Sequence, residues 1–373
     1  MESVSFAIIT LSGKFSPCVR QFFQLDFSNG KFSSSTKQPP QIYSLIPEGI
    51  ENKRARVQDF KFLKTIGRGQ FGKVFLAKSN ETNEAFAIKV LDKARLRKPK
   101  ELDHVMSERN VLVKALKHPF LCNLRFCFQT VNKLYFVLDY VNGGELFYHL
   151  QREHAFPEPR ARFYAAEIAC ALGYLHSENI IYRDLKPENI LLDSQGHIVL
   201  TDFGLCKEVL DPGDQTSSFC GTPEYLAPEV LRKEPYDFAV DWWCFGSVLF
   251  EMLYGLPPFY SRNREEMFRA IQTSPLKLRD TISYQAKLIL SGLLRKSKTE
   301  RLDWEALKAR RIQPTYIPSV RSQTDTRNVS SEFVHESIPE SVIFSVERRR
   351  YRTQPESVDD LFAGFSFEPR KHF

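Results

Sequence analysis

The chain has 373 residues, enough for a full hydrophobic core and for more than one packed unit. Hydrophobic residues make up 42% and charged residues 26% of the chain, which excludes a collagen-like or wholly disordered protein. The 52 basic and 45 acidic residues give a net charge of +7, too diffuse to predict nucleic-acid binding. No apolar run is long enough to predict a transmembrane segment.

The seven cysteines are scattered along the chain and never form a Cys-x-x-Cys motif. In a chain of this size the pattern favours free thiols in a reducing compartment and argues against a zinc site. The apolar patch at residues 6–11 follows the acidic Glu2 and makes a poor signal peptide. We therefore expect a cytoplasmic protein, with the nucleus as the open alternative.

The order of patterns along the chain predicts an α+β protein with two lobes. The first residues are rich in serine and phenylalanine without a sustained period, which is typical of a largely disordered extension. Alternating β-branched and aromatic residues then predict strands, and a helical pattern follows. The predicted units are the extension at 1–59, a β-rich lobe at 60–140, a helical lobe at 141–302 and a tail at 303–373. The predicted elements include strands at 122–129 and 133–140 and helices at 100–116, 159–178 and 239–254.

A glycine-rich segment, GRGQFGKV at residues 67–74, lies between two predicted strands. Glycines let a backbone turn approach phosphate groups without Cβ clashes. A dinucleotide site would need a helix directly after the glycines, whereas Val74 begins another strand pattern. The segment therefore predicts a β-hairpin lid over nucleotide phosphates, as in protein kinases.

Two charged residues follow this segment. Lys89 lies on the next predicted strand, and Glu108 lies on the first predicted helix. Either residue alone could be a solvated surface group. Downstream of a glycine loop, the two together match the ion pair that holds the α- and β-phosphates of ATP.

The strongest signal is YRDLKPEN at residues 182–189, in a loop between a predicted helix and a predicted strand. A solvated loop would explain its charges but not the spacing of Asp184, Lys186 and Asn189. Phosphoryl transfer needs a carboxylate to orient the hydroxyl nucleophile, a cation on the γ-phosphate and an amide ligand for Mg²⁺. The segment therefore predicts a catalytic loop.

Two further motifs come downstream in the order that this chemistry requires. Asp202, in Asp-Phe-Gly, supplies a second metal ligand, a carboxylate. Ala-Pro-Glu at 227–229 closes the segment that begins at Asp202. In this combination, residues 60–302 resemble an AGC-class serine/threonine protein kinase. Within this class, the chain is most similar to the serum- and glucocorticoid-regulated kinases, and the protein kinase B group is the alternative. Three segments carry this similarity: YFVLDYVNGGEL at 135–146, TDFGLCKE at 201–208 and SFCGTPEY at 218–225.

The resemblance implies a two-lobed protein kinase fold that uses ATP and Mg²⁺. It implies that Leu138 gates the adenine pocket and that Asp139 and Val141 bind adenine through their backbone. It also implies a structural ion pair between Glu229 and Arg301. The residues implied for ATP binding are Gly67, Gly69, Gly72, Val74, Ala87, Lys89, Glu108, Leu138, Asp139, Val141 and Glu145. Those implied for catalysis are Asp184, Lys186 and Asn189, and those implied for the metal are Asn189 and Asp202.

Substrate choice is implied by three further acids. Glu145, Glu188 and Glu251 match the carboxylates that read arginines upstream of the phosphoacceptor, since carboxylates in a cleft bind guanidinium by charge-assisted hydrogen bonds. The resemblance therefore implies protein substrates of the form Arg-x-Arg-x-x-Ser/Thr. It also implies signalling roles such as regulation of ion transport and cell survival.

Regulation is implied by three serines. Ser218 occupies the activation-loop position, and Ser366 lies in a C-terminal hydrophobic motif, FAGFSF at 362–367. Ser341 is a weaker match to a turn-motif site. The resemblance implies an upstream kinase of the phosphoinositide-dependent type, and it implies that the motif's phenylalanines dock beside the Glu108 helix.

The chain departs from its relatives after Leu302. It runs straight into residues 303–307, where relatives carry a further stretch long enough for a helix of about three turns. We therefore expect a helical lobe that is shortened at its end and has lost packing there. The alternative function is a catalytically weak nucleotide-binding scaffold, and the filled catalytic positions favour the enzyme.

Each of two smaller motifs has two possible interpretations. Arg348-x-Arg350-x-x-Thr353 matches the expected substrate pattern, so Thr353 is either an autophosphorylation site or part of a solvated basic tail. Residues 257–260, PPFY, fit the form bound by WW domains, which would make a WW-domain ubiquitin ligase a partner. We favour a structural role for PPFY, because kinases bury such residues after the apolar helix.

Overall fold

The computed structural model describes residues 55–69, 71–96, 98–115, 118–209, 215–302, 318–339 and 342. Three of the predicted phosphoacceptors lie outside these ranges, as do the hydrophobic motif and nearly all of the N-terminal extension. Those phosphoacceptors are Ser341, Thr353 and Ser366. Within the described ranges, no helix combines the length and the apolar character needed to cross a membrane.

A five-stranded antiparallel sheet forms the first lobe, as the alternating pattern predicted. Its spatial order is β1-β2-β3-β5-β4. On β3 the side chains of Phe86, Ile88 and Val90 are buried in one apolar cluster, while Lys89 points to the opposite face. The bounds are β1 Phe60–Arg68, β2 Gly72–Ser79, β3 Ala85–Asp92, β4 Leu124–Gln129 and β5 Lys133–Asp139, with helix α1 at Pro99–Ala115 between β3 and β4.

The second lobe is mainly helical and contains the larger core. The predicted two-lobed α+β fold is therefore confirmed. Its helices are α2 Leu146–Glu153, α3 Glu158–Ser177, α4 Pro228–Leu231, α5 Ala239–Tyr254, α6 Arg264–Thr273 and α7 Tyr284–Leu293. Its short strands are β6 Ile180–Ile181, β7 Ile190–Leu192, β8 Ile198–Leu200 and β9 Lys207–Glu208. Single turns of 3-10 helix lie at Val57–Asp59, Lys93–Arg95, Pro187–Asn189, Pro223–Tyr225 and Lys298–Glu300.

The PPFY segment packs against the core of this lobe. The Phe259 ring is buried and stacks on Trp243 with ring centroids 5.9 Å apart, and the Lys296 ammonium lies 3.6 Å from the Phe259 centroid. Only Tyr260 at the end of the segment is exposed, at 47%. The burial of Phe259 supports the structural interpretation of the motif.

Part of the tail packs back onto both lobes. Helix α8, Ser331–Val334, lies against β1, and the Glu336 carboxylate accepts hydrogen bonds from Lys73 and, at 2.9 Å, from Arg68 Nε. On the segment that joins the lobes, Tyr140 Oη donates to the carbonyl of Asp325 at 2.6 Å. The tail therefore holds the glycine-rich hairpin and the segment that joins the lobes at the same time.

A buried ion pair closes the base of the helical lobe. Arg301 Nη1 and Nη2 bind the two carboxylate oxygens of Glu229 at 2.6 and 2.9 Å, and both side chains are 1% exposed. Arg301 also donates to the carbonyls of Ala239 and Arg295, so it joins α4, α5 and the end of α7. The implied pair is therefore present.

Replacing Glu229 by alanine leaves the Arg301 charge buried without its partner. We expect Glu229→Ala to lower the free energy of unfolding by about 3–5 kcal/mol. The matched control is Glu234→Ala, which removes an exposed pair with Arg232 and is expected to cost less than about 1 kcal/mol. Urea unfolding of both variants measures the difference, and equal losses would contradict this assignment.

Candidate functional site

The glycine-rich hairpin forms one wall of a cleft between the lobes. The backbone N–H of Gly69 donates to the carbonyl of Gly72 at 2.9 Å, which closes the tip of the hairpin. A Cβ at Gly72 would lie 1.8 Å from the carbonyl oxygen of Val90, so only glycine fits there. β2 continues directly from Gly72, as expected for a lid and not for a dinucleotide site.

Lys89 lies at the centre of an ion-pair cluster that joins three elements. Its Nζ is 2.6 Å from Glu108 Oε1 on α1 and 3.3 Å from Asp202 Oδ1 after β8. Glu108 is buried, whereas the Asp202 side chain is about half exposed and reaches into the cleft. The predicted Lys89–Glu108 pair is therefore formed, and Asp202 extends it towards the catalytic loop.

The electrostatics of this cluster favour the charged forms of Lys89 and Asp202. Burial alone would lower the pKa of Lys89, but the carboxylates of Asp202 and Glu108 outweigh it and raise the pKa. The Lys89 ammonium in turn lowers the pKa of Asp202. Burial raises the pKa of the Glu108 carboxyl, and the contact with Lys89 opposes that rise. A fixed ammonium in this position is suited to binding phosphate oxygens.

The predicted catalytic loop is held by hydrogen bonds around Asp184. Asp184 Oδ1 accepts a hydrogen bond from Thr222 Oγ1 at 2.9 Å, and its Oδ2 accepts one from Asn189 Nδ2 at 3.0 Å. Lys186 Nζ is 3.1 Å from Asp184 Oδ2 and donates to Thr222 Oγ1 at 2.9 Å. The three predicted catalytic residues therefore converge on one point, where a hydroxyl nucleophile and a phosphoryl group could be oriented.

The two predicted metal ligands fit a hard divalent cation. Asn189 uses its amide nitrogen on Asp184, so its amide oxygen is the group left for a ligand. The backbone carbonyl of Asn189 also accepts a hydrogen bond from Thr201, the residue before Asp202, at 3.0 Å. An amide oxygen and a carboxylate on adjoining segments are oxygen donors of the kind that Mg²⁺ prefers.

The backbone at this site adopts an uncommon conformation at two positions. Arg183 and Asp202 have φ angles of 70° and 56°, in the left-handed region that non-glycine residues rarely adopt. Both residues are held by contacts that outweigh the strain. The Arg183 guanidinium donates to the carbonyl of Leu205 at 2.6 Å, and Asp202 binds Lys89.

The segment that joins the lobes lies where the resemblance places adenine. Leu138 is buried at the end of β5 and pairs with Ala87 on β3. The Asp139 side chain is engaged by Asn123 and Arg125, and the backbone N–H of Asp139 donates to the carbonyl of Asn123 at 3.1 Å. Val141 follows at the start of the joining segment, and Val74 lies on β2 beside the glycine hairpin.

The three predicted arginine-reading acids share an environment that favours their neutral forms. Burial raises the pKa of Glu145, of Glu188 and, to about 7, of Glu251. Neighbouring carboxylates add to the shift, since Glu188 raises the pKa of both Glu145 and Glu251. Tyr225 Oη donates to Glu251 at 2.5 Å. A cation placed among these acids would lower their pKa values.

Ser218 is exposed and lies in reach of the catalytic loop. Its backbone carbonyl accepts a hydrogen bond from Tyr236 Oη at 2.7 Å, and Arg183 Nη1 donates to the same hydroxyl at 3.4 Å. The activation-loop serine is therefore linked to Arg183 through Tyr236.

Sequence reasoning missed Asp241, which supports the catalytic loop from below. This fully buried residue of α5 accepts hydrogen bonds from the backbone N–H groups of Tyr182 and Arg183, each at 2.8 Å. Its Oδ2 also lies 2.8 Å from His176 Nε2. The available signal was a carboxylate inside a largely apolar helix, because a buried acid without partners would be very costly.

Comparison with known proteins shows the same family throughout. Residues 60–311 match the protein kinase domain model. The chain is 54% identical over 354 residues to serine/threonine-protein kinase Sgk1 of Danio rerio, covering 90% of this chain and 81% of that protein. It is 56% identical over 336 residues to Sgk1 of Bos taurus, covering 85% and 78%. Against Sgk1 of Homo sapiens it is 54% identical over 354 residues, covering 90% and 82%.

Replacing Asp241 by asparagine should damage both stability and turnover. The amide cannot accept both backbone hydrogen bonds, so we expect Asp241→Asn to cost about 2–4 kcal/mol and to lower kcat at temperatures where the variant is folded. Asp237→Asn is the matched control, because Asp237 accepts one backbone N–H, that of Ala239, and its other oxygen forms only a part-exposed ion pair with Lys298 at 3.8 Å. Thermal unfolding and steady-state kinetics test both variants, and a normal kcat in folded Asp241→Asn would contradict the positioning role.

Proposed function

Since the chain belongs to the serum- and glucocorticoid-regulated kinase family of AGC-class serine/threonine protein kinases, we propose that its cleft transfers the γ-phosphate of ATP to substrates of the form Arg-x-Arg-x-x-Ser/Thr. The observation that carries this proposal is the convergence of two clusters. Lys89 bridges Glu108 and Asp202, and Asp184 bridges Lys186, Asn189 and Thr222. Every group that phosphoryl transfer requires is then present in one cleft.

The proposed roles follow from these contacts. Lys89, held by Glu108, binds the α- and β-phosphates, and the glycine hairpin covers them. Asp184 orients the substrate hydroxyl, whose oxygen bonds to the γ-phosphorus and whose proton the carboxylate accepts as the bond to the β-phosphate oxygen breaks. Lys186 offsets the charge that develops on the transferred group. Asn189 and Asp202 hold Mg²⁺, which when bound neutralises phosphate charge.

Arginine recognition is supported by the acids on the substrate side. Glu145, Glu188 and Glu251 all have raised pKa values because they are buried near one another. Binding a guanidinium there adds a positive charge beside these acids and forms charge-assisted hydrogen bonds. We therefore expect a preference for two arginines upstream of the phosphoacceptor.

Activation is proposed to depend on phosphorylation of Ser218 and of the hydrophobic motif around Ser366, by an upstream kinase of the phosphoinositide-dependent type. A phosphate adds about −1.5 to −2 charge and can order a loop against nearby arginine. The link from Ser218 through Tyr236 to Arg183 supports this for the activation loop. Cytoplasmic or nuclear residence and roles in ion transport and cell survival are proposed from family membership alone.

The function is tested with Asp184→Asn, which keeps the size of the side chain and removes its charge. We expect the parent chain, phosphorylated at Ser218, to phosphorylate a peptide containing Arg-Ala-Arg-Ala-Ala-Ser. Asp184→Asn should lose at least about a hundredfold in kcat. Both proteins should show a rise in melting temperature with Mg²⁺ and a non-hydrolysable ATP analogue.

The controls separate the two candidate functions. Asp193→Asn is the matched variant, because Asp193 accepts its turn hydrogen bonds outside the cleft. A melting shift without transfer in the phosphorylated parent chain would favour the nucleotide-binding scaffold. Transfer that survives in Asp184→Asn would contradict the proposed role of Asp184.

Substrate recognition should depend on pH through Glu251. Its pKa of about 7 means that the ionised fraction rises about tenfold from about pH 6 to about pH 8, and only the ionised form pairs with arginine. We expect kcat/KM for the arginine peptide to rise with it. The increase of kcat/KM with pH should be smaller in Glu251→Gln. An unchanged increase in that variant would assign the titration to another group.

A further inference from the structure

Helix α1 is joined to the second lobe at its last turn. Lys114 lies in that turn, and its Nζ atom is 2.8 Å from Oε1 of Glu208 on β9. The backbone carbonyl of Lys114 accepts a hydrogen bond from Tyr174 Oη of α3 at 2.9 Å. One residue of α1 is therefore bound to two elements of the second lobe, through its side chain and through its backbone.

The partner carboxylate lies on the segment that follows the Asp-Phe-Gly motif. Glu208 pairs with Ile180 of β6, and β6 ends directly before the predicted catalytic loop at 182–189. Nearer the start of the same segment, the carbonyl of Cys206 accepts a hydrogen bond from Ser107 Oγ of α1 at 3.5 Å. Helix α1 therefore meets this segment at two points along its length.

The ion pair between Lys114 and Glu208 is part-exposed. The two side chains are 43% and 31% exposed, but the glutamate oxygen that faces the ammonium is itself buried. A carboxylate oxygen without water depends on the cation beside it for compensation. Ion pairs exposed to this degree nevertheless add little to overall stability. The pair is therefore expected to act on the placement of α1 and not on whether the chain folds.

The placement of α1 matters because the helix carries Glu108. Lys114 lies six residues after Glu108, which is about 9 Å along the helix axis. Movement of this end of α1 away from β9 therefore draws Glu108 away from Lys89. On the partner segment, Glu208 lies six residues after Asp202, which binds the same Lys89 ammonium. The pair thus joins the two segments that supply the carboxylates of the Lys89 cluster.

We propose that Lys114 and Glu208 are positioning residues, which hold α1 against β9 and thereby keep Glu108 at Lys89. This inference rests on the proposed function, because the cluster that it supports is the one assigned to the phosphates of ATP. Without the pair, α1 keeps its contacts with Tyr174 and Cys206. Breaking the pair therefore weakens nucleotide binding by a few fold and does not abolish it.

The test is a charge-reversal cycle on the full chain. Lys114→Glu and Glu208→Lys each place like charges together, whereas Lys114→Glu/Glu208→Lys restores an ion pair in the opposite orientation. We expect each single variant to weaken binding of a non-hydrolysable ATP analogue with Mg²⁺ by about three- to fivefold, the range open to a pair of this exposure. The double variant should recover most of that loss, and isothermal titration calorimetry measures all three affinities.

Hydrogen exchange of α1 without nucleotide is the second readout, because it reports how firmly the helix is held whether or not phosphate is transferred. Exchange should be faster in each single variant and like the parent in the double variant. Melting temperatures should stay within about 4 °C of the parent. A reversal that lowers the melting temperature further is replaced by Lys114→Met or Glu208→Gln, with an expected loss of affinity of about two- to threefold.

Lys287→Glu is the matched control. Lys287 pairs with the exposed Asp280 inside the second lobe, so its reversal changes the same charge without touching α1. This variant should bind the analogue and exchange α1 hydrogens like the parent.

Losses in both single variants that the double variant recovers support the proposal. Parent-like affinity and exchange in the single variants overturn it, and so do losses that add up in the double variant. Recovery of affinity and exchange in a chain that transfers no phosphate, even when phosphorylated at Ser218, supports the positioning role and contradicts only the proposed function.

Discussion

The ion pair between Lys89 and Glu108 is the constraint on which the cleft depends. Burying an ammonium is costly unless a carboxylate compensates for the lost hydration, and here two carboxylates do so. Because Lys89 belongs to the sheet, Glu108 to α1 and Asp202 to the segment after β8, satisfying one charge fixes three elements relative to one another. The same cluster leaves Asp202 facing the catalytic loop. The ion pairs that Lys89 of the first lobe forms therefore help to set the position of Asp202 in the second lobe.

A second buried carboxylate performs a corresponding task inside the helical lobe. Asp241 binds the backbone of Tyr182 and Arg183 and so determines where the catalytic loop begins. Arg183 then binds the segment after Asp202 and, through Tyr236, the backbone of Ser218. One chain of hydrogen bonds thus joins the predicted catalytic loop, the segment after Asp202 and the backbone of Ser218.

Sequence reasoning recovered the parts that local pattern encodes. Strand alternation predicted β3 and placed Lys89 on the face opposite Ile88, and the spacing in residues 182–189 picked out Asp184 and Asn189, which the structure joins by a hydrogen bond. It missed Asp241 and Tyr236, because each acts through contacts with residues far away in the sequence. The only local signal for Asp241 was its carboxylate inside a largely apolar helix, and Tyr236 carries no local signature. The hydrogen bonds that Arg68 and Lys73 of the glycine hairpin donate to Glu336 were missed for the same reason. The domain boundaries, the predicted tail phosphoacceptors and the residue roles stay predictions.

The central claim is that the pairing of Lys89 by Glu108 positions the phosphates of ATP. The most direct measurement compares phosphate transfer and ATP-analogue binding in Lys89→Met, in Glu108→Gln and in Lys78→Met, a control lysine on the neighbouring strand β2. The account predicts that both site variants stay folded and lose about a hundredfold or more in kcat/KM, while Lys78→Met transfers phosphate like the parent. Full activity in Glu108→Gln would contradict it, because the ammonium would then be positioned without its buried partner.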